Sequence, residues 1–205
     1  MKKIGLFVGV MTLLMAFGFA GQAKAGSAYV GTGLDFSFPG FSGDVGQGNE
    51  GGGFSWEYLH LGYDFTDNVG VNLLWGQAAG TGKVSAFGFS QDVDWTTDYL
   101  DLNFRYTAKM KSVSPYFEAG LGMYTMDAKG GHVDADLDPV LGYRLGVGAA
   151  IPISNFYVAP ELSYHWAEFD QGKAHISGLG SFDINNTGRG DFGLLSLKLG
   201  YRFGK

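Results

Sequence analysis

The chain has 205 residues, with 14 Lys+Arg against 20 Asp+Glu for a formal net charge of −6, and no cysteine. The acid excess excludes the basic face that a nucleic-acid partner needs, and the lack of cysteine excludes a disulfide framework or a thiol-linked lipid anchor. Glycine (35 residues) and aromatics (16%) are both high, which favours many strands with tight turns and close backbone contacts over helices.

The first 25 residues read as a secretory leader. Lys2 and Lys3 make a basic start, Ile4 to Ala20 is apolar, and Ala23-Lys24-Ala25 supplies a small-x-small cleavage pattern. Cleavage is expected after Ala25, leaving residues 26–205 as one domain. It removes three of the 14 Lys+Arg and no acid, so the mature chain is more acidic still. No later segment approaches the length of a membrane-spanning helix.

Period-two alternation predicts eight strands: 28–37, 54–65, 69–78, 97–108, 115–126, 140–151, 156–168 and 191–203. The last reads DFGLLSLKLGYRF. Leu195, Leu197, Leu199, Tyr201 and Phe203 share one face, and Ser196, Lys198, Gly200 and Arg202 the other. The connections alternate in length. Residues 66–68, 109–114 and 152–155 are short, whereas 38–53, 79–96, 127–139 and 169–190 are long and rich in Gly, Asp and Ser. Strands of this length, sorted in this way, predict an all-β, antiparallel up-and-down barrel that crosses a membrane, with short turns on one side and long loops on the other.

Parity supports the same reading. Leu59, Leu61 and Tyr63 point outward, as do Val71, Leu73 and Trp75, then Leu100, Leu102, Phe104 and Tyr106. Folding each hairpin about its short turn places outward residues opposite outward residues, which a slipped register would not do. Aromatics gather at the strand ends. Phe36, Phe54, Trp56, Trp75, Trp95, Trp166 and Phe192 are assigned to an outer girdle; Tyr63, Phe65, Tyr106, Phe117, Phe156, Tyr201 and Phe203 to an inner one.

The opposite parity fills the lumen with Tyr29, Asp35, Tyr58, His60, Asp64, Asp101, Asn103, Arg105, Glu118, Arg144, Glu161, Ser163, His165, Lys198 and Arg202. An eight-stranded barrel has an interior just filled by side chains, and buried charges must be paired. A packed polar core, not an aqueous pore, is therefore expected, with Asp101, Arg105, Glu118, Arg144, Glu161, His165, Lys198 and Arg202 as its structural network. Arg105 and Glu118 fall opposite one another across a symmetric 109–114 turn. Leu74 is inward by parity and breaks the polar pattern.

The segment Pro115-Tyr116-Phe117-Glu118-Ala119-Gly120-Leu121-Gly122 and the closing Leu197-Lys198-Leu199-Gly200-Tyr201-Arg202-Phe203 resemble the small eight-stranded outer-membrane barrels: the OmpA transmembrane domain, OmpX, OmpW and the outer membrane protein β-barrel domain family. The resemblance spans essentially residues 26–205. It implies residence in the bacterial outer membrane among lipid and lipopolysaccharide. It also implies that Tyr201 and Phe203 belong to a C-terminal signal read by the barrel-assembly machinery, although Gly204 and Lys205 follow them here. Such families include structural anchors, adhesins, conduits for small hydrophobic solutes and a few lipid-modifying enzymes.

Sharper chemistry is sparse. Ser163 and His165 share a face with Glu161 beside them, the residue types of a nucleophile, base and acid. Parity puts them inside, however, and their order is Ser-x-His where the lipid A deacylase family carries His-x-Ser. Asp134, Asp136 and Asp138 alternate, but Pro139 stands where a calcium loop of the EF-hand type needs glycine. Arg189-Gly190-Asp191 is ordinary turn chemistry beside a strand. His132 and His175 share no metal-ligand spacing. No cofactor, metal or catalytic residue is assigned. The expected role is that of a monomeric, non-enzymatic barrel acting in structure or surface interaction through its long loops. The alternative is an OmpW-like conduit for small hydrophobic solutes, and an outer-membrane lipid-modifying enzyme ranks third.

Overall fold

Two-residue alternation of side chains builds a wall of long antiparallel strands. The computed structural model describes residues 26–39, 49–86, 89–178 and 180–203; the expected leader, residues 1–25, lies outside them. The segments are β1 (Ser27–Pro39), β2 (Asn49–Gly52), β3 (Phe54–Asp64), β4 (Val69–Ala86), β5 (Phe89–Thr107), β6 (Ser114–Gly130), β7 (Val133–Leu137), β8 (Val140–Ile153), β9 (Phe156–Ile176), β10 (Gly180–Arg189) and β11 (Phe192–Phe203). Three of them prolong a neighbour across a short break: β2 runs into β3, β7 into β8, and β10 into β11. The staves therefore number eight. They close as β1–β3–β4–β5–β6–β8–β9–β11 and back to β1, where Ala28 faces Phe203 and Pro39 faces Phe192.

The outer face is apolar. Leu195, Leu197 and Leu199 are each more than half exposed, whereas Ser196 and Lys198 between them are buried. The large exposed apolar side chains lie on this outward parity along every stave, among them Phe104, Leu121, Leu145, Val147 and Leu162.

Inside, tyrosines lie against glycines. Tyr29 faces Gly62, Tyr99 faces Gly76, Tyr116 faces Gly148 and Tyr157 faces Gly200 across adjacent staves. At each of these glycines an added Cβ would run into that tyrosine ring. Glycine here makes room for an aromatic ring lying along the inner wall, a pairing that also covers the bare backbone.

Among the described residues, the segments expected as long loops are mostly strand; residues 40–48 of the first lie outside them. β4 and β5 stay in unbroken register from Val69 opposite Tyr106 to Ala86 opposite Phe89. β6 turns into β7 through Gly131 and His132, with Gly131 at φ 45°, and β9 pairs with β10 from Ile176 opposite Gly180. Their Gly, Asp and Ser content reads as loop in isolation, but ladder pairing with the neighbouring stave overrides that preference. Three short turns close the other end. In the first, Thr66 Oγ1 accepts the backbone N–H groups of Asn68 and Val69 at 3.2 and 3.0 Å.

One irregularity changes which side chains enter the lumen. Between Glu57 and Leu59 the β3–β4 register slips by one residue, a bulge at Tyr58. Uniform parity put Tyr58 inside; instead Phe54, Trp56 and Tyr58 are all exposed outside and Ser55 and Glu57 are buried. Trp95 and Phe192, assigned to the outer girdle, also turn inward, and Phe192 is 1% exposed.

The extended hairpins impose a cost of their own. Asp127 on β6 stands directly opposite Asp136 on β7. Partial burial, and then the Asp136 charge, hold the Asp127 carboxyl above its usual range. A proton bound more tightly in the folded state favours folding at acid pH, and that advantage is lost as pH rises through the raised value. Asp127→Asn is expected to raise the urea midpoint of the refolded barrel at neutral pH, by about 1 kcal/mol or less. It should leave the midpoint unchanged below the ordinary carboxylate range.

Candidate functional site

The lumen is the place where polar side chains converge. Its centre is built on two glutamates. Glu118 on β6 accepts from Arg144 Nη1 at 2.7 Å and Asn72 Nδ2 at 2.5 Å, and it is ion-paired with Arg105 Nε at 2.9 Å. Glu161 on β9 is paired with Arg144 Nη2, with Lys198 Nζ at 3.0 Å and with the Tyr116 hydroxyl at 2.8 Å. Lys198 also meets Glu57 at 2.9 Å. These groups are all buried, and the three cations are 1–3% exposed.

Above this centre sits Asp101, which accepts from the Tyr124 hydroxyl at 2.8 Å and lies 3.5 Å from His165 Nδ1. Asp35 accepts from the Tyr99 hydroxyl at 2.8 Å. Ser163 Oγ and His165 Nε2 are 3.2 Å apart. The acid that stands by His165 is thus Asp101 and not Glu161, whose oxygens are committed to Arg144, Lys198 and Tyr116. Phe192 stacks on the His165 ring at 4.6 Å and 11°. It belongs to an apolar layer with Leu74, Ala78, Tyr99, Tyr124, Ala167, Phe169 and Leu194, against which Trp95 packs. Leu74, out of place by polar parity, is part of this layer.

Toward the short turns the lumen ends in a second aromatic group of Tyr29, Tyr116 and Tyr157. The Arg105 guanidinium lies 3.7 Å from the Tyr116 ring centroid and donates to the Tyr29 hydroxyl at 3.0 Å. Arg202 stands apart from the central network, 3.3 Å from Asp64 at the rim and 29% exposed. The outward rings of Tyr201 and Phe203 pack 4.9 Å apart.

The remaining sequence candidates are scattered. Asp134 and Asp136 face Lys129 and Asp127 on β6, and His175 and Lys173 on β9. His175 Nδ1 lies 3.1 Å from Ser181 Oγ. Arg189-Gly190-Asp191 lies at the β10–β11 junction, where the Gly190 N–H donates to the Ala167 carbonyl at 2.9 Å. Among the described residues, no three His, Cys, Asp or Glu side chains come together as a metal site would require. Sequence reasoning missed Glu57, Asn72 and Tyr116 as network members. The apolar alternation Phe54, Trp56, Tyr58, followed without a gap by Leu59 and Leu61, was the available sign of the bulge that turns Glu57 inward.

Comparison with known proteins agrees with this architecture. The family model described as the outer membrane protein beta-barrel domain matches residues 10–203. No curated protein sequence matches the chain. Among solved structures, Neisserial surface protein A is similar at 17% identity with a TM-score of 0.59, over 88% of this chain and 100% of that one. A major outer membrane protein from Thermus thermophilus is similar at 17% identity and a TM-score of 0.60, with the same coverage. Ail of Yersinia pestis, crystallised with the heparin analogue sucrose octasulfate, is similar at 18% identity and a TM-score of 0.52, again over 88% and 100% of the two chains.

Arg144 touches three carboxylates, so its loss leaves each of them buried with one partner fewer. Arg144→Met is expected to cost about 3–5 kcal/mol, read from urea unfolding of the barrel in lipid vesicles. Arg202→Gln, at the solvated rim, should cost about 1 kcal/mol or less.

Proposed function

Since this chain belongs to the outer membrane protein β-barrel domain family, whose place is the bacterial outer membrane, we propose that it is a non-enzymatic, monomeric barrel. In this reading the lumen is sealed and the protein acts through the long hairpins, which face the outside of the cell while the short turns face the periplasm. The observation that carries the reading is the filling of the lumen. The Glu118–Arg144–Glu161–Lys198 network crosses it, and the layer around Phe192 covers that network from the hairpin side. The same packing argues against hydrolysis at Ser163, which is 3% exposed beneath that layer. A nucleophile must meet its substrate.

The hairpins carry the interaction surface. Among the residues whose side chains are described, Asp92, Asp94, Asp98, Asp134, Asp136, Asp138, Glu168 and Asp183 are exposed there, against Lys129 and Lys173. Sucrose octasulfate, the molecule held by crystalline Ail, is a polyanion and does not suit this surface. A partner with excess positive charge does.

A second reading, a conduit for small apolar solutes, draws on one feature. Beside the Tyr58 bulge the outer wall has a groove of about 480 Å³ lined by Leu59, Leu73, Trp75, Leu100 and Met123. A sealed barrel should be silent in planar bilayers, and reproducible single-channel steps would favour the conduit instead. On the surface role, the barrel in zwitterionic vesicles should bind oligolysine in a salt-dependent manner and ignore heparin. Asp134→Asn with Asp136→Asn should weaken oligolysine binding severalfold, and equal binding of both polymers would remove the charge argument.

A further inference from the structure

We propose that the short-turn end of the barrel holds a binding site for a phosphate-class oxyanion. A cavity of about 190 Å³ opens there, and Arg105, Lys109 and Arg202 line it together with the Tyr157, Ser114 and Ser154 hydroxyls. No carboxylate lines it among the described residues. The acids that neutralise these cations stand outside its wall: Glu118 on Arg105, Asp67 on Lys109 at 2.5 Å, and Asp64 on Arg202. The side chains that line the concave surface are cationic, hydroxylic or apolar.

Two of the lining residues hold unpartnered donors just behind that surface. Arg105 is 3% exposed; its Nη1 donates to Tyr29 and its Nε is ion-paired with Glu118, while the enclosed Nη2 makes no hydrogen bond. The Tyr157 hydroxyl, on a residue 4% exposed, is also without one. Buried polar groups are nearly always hydrogen-bonded, because an unmade bond forfeits the full desolvation cost. An arginine and a tyrosine with spare donors just behind the wall of one cavity, beside two further cations, suit an anion that would draw those donors toward it. Its chemistry follows from the donors. The lining supplies guanidinium, ammonium and hydroxyl groups around one cavity. That matches the three or four oxygens of a tetrahedral anion better than the two of a planar carboxylate. The cavity is far larger than one water requires. Free phosphate and a phospholipid headgroup from the facing leaflet present the same chemistry.

The test uses the folded full-length barrel at constant ionic strength, with inorganic phosphate as the probe in uncharged glycolipid vesicles. A parallel arm compares phosphatidylglycerol vesicles with the uncharged ones. Binding is read from the ³¹P line width, and stabilisation from the rise in unfolding midpoint that a native-state ligand produces. Saturable phosphate binding in the uncharged vesicles assigns the site to a soluble anion. Stabilisation confined to phosphatidylglycerol assigns it to a headgroup. In either case Tyr157→Phe, which removes a hydroxyl with no protein partner, and Arg202→Gln, at the rim, should each weaken binding or stabilisation at least fivefold. Both variants should keep the mobility shift of a folded barrel on unheated gels; should either fail to fold, the exposed Lys109→Gln replaces it with the same expected effect. The proposal is overturned if neither arm responds, or if folded variants respond like the unaltered protein.

Discussion

Closure is the constraint from which the rest of this structure descends. In a lipid phase each backbone N–H and C=O must find its partner within the protein, and a sheet can do that only by returning on itself. Here β11 meets β1 along twelve consecutive residue pairs, which removes the last free edge within the wall. Eight staves leave an interior too narrow for a water column. Charged residues on the inner face must then be neutralised by one another. That is why Glu118 and Glu161 each have three polar partners, and why those partners come from staves that are not all adjacent. Lys198 on β11 reaches Glu57 on β3 across the intervening β1. The ion pairs brace the wall as well as neutralising one another.

The tyrosine–glycine pairs answer the same lack of space. A ring projecting straight into an eight-stranded lumen would meet the opposite wall. Laid flat over Gly62, Gly76, Gly148 or Gly200, it keeps its hydroxyl within reach of the polar centre. Tyr99 and Tyr124 then serve two layers at once: their rings form part of the apolar layer under the hairpins, and their hydroxyls donate to Asp35 and Asp101. Much of the glycine content that suggested turns in the sequence is spent on the inner wall instead.

Alternation in the sequence was enough for the strand count, the sorting of short and long connections, and the meeting of outward with outward residues across each short turn, although the third hairpin pairs Ile151 with Val158, two residues from the symmetric register. Those features depend on a period of two and on hydrophobic sidedness, both local. What alternation could not carry was any local change of phase. The bulge at Tyr58 inverts the inward set of one stave, sending Tyr58 out and Glu57 in, and a uniform parity rule has no means of expressing it. Trp95 and Phe192 were misplaced for another reason: aromatic residues near strand ends suit a headgroup girdle and an internal cap equally well, and only the neighbouring walls decide between them. The hairpin extensions were hidden because Gly, Asp and Ser disfavour strand in isolation, while the ladder beside them supplies the missing preference. Within the lumen, sidedness located Arg105, Glu118, Arg144, Glu161, His165 and Lys198, but which carboxylate faces which cation depends on side-chain reach across the barrel. The Asp101–His165 approach, between staves far apart in sequence, is of that kind.

The two ends of the barrel differ in sign as well as in length. The hairpins present mostly carboxylates, whereas the short-turn end presents Arg105, Lys109 and Arg202 around an opening free of acids. Between them the ion-pair network is close to self-contained, each cation held by carboxylates of the same layer, so that neither end neutralises the other. Screening by salt keeps these fields local, since a Debye length of about 8 Å is far shorter than a membrane is thick. Each end therefore acts on its own surroundings. The wall and its sealed centre hold the two surfaces apart, and the polarity of insertion decides which solution each one meets.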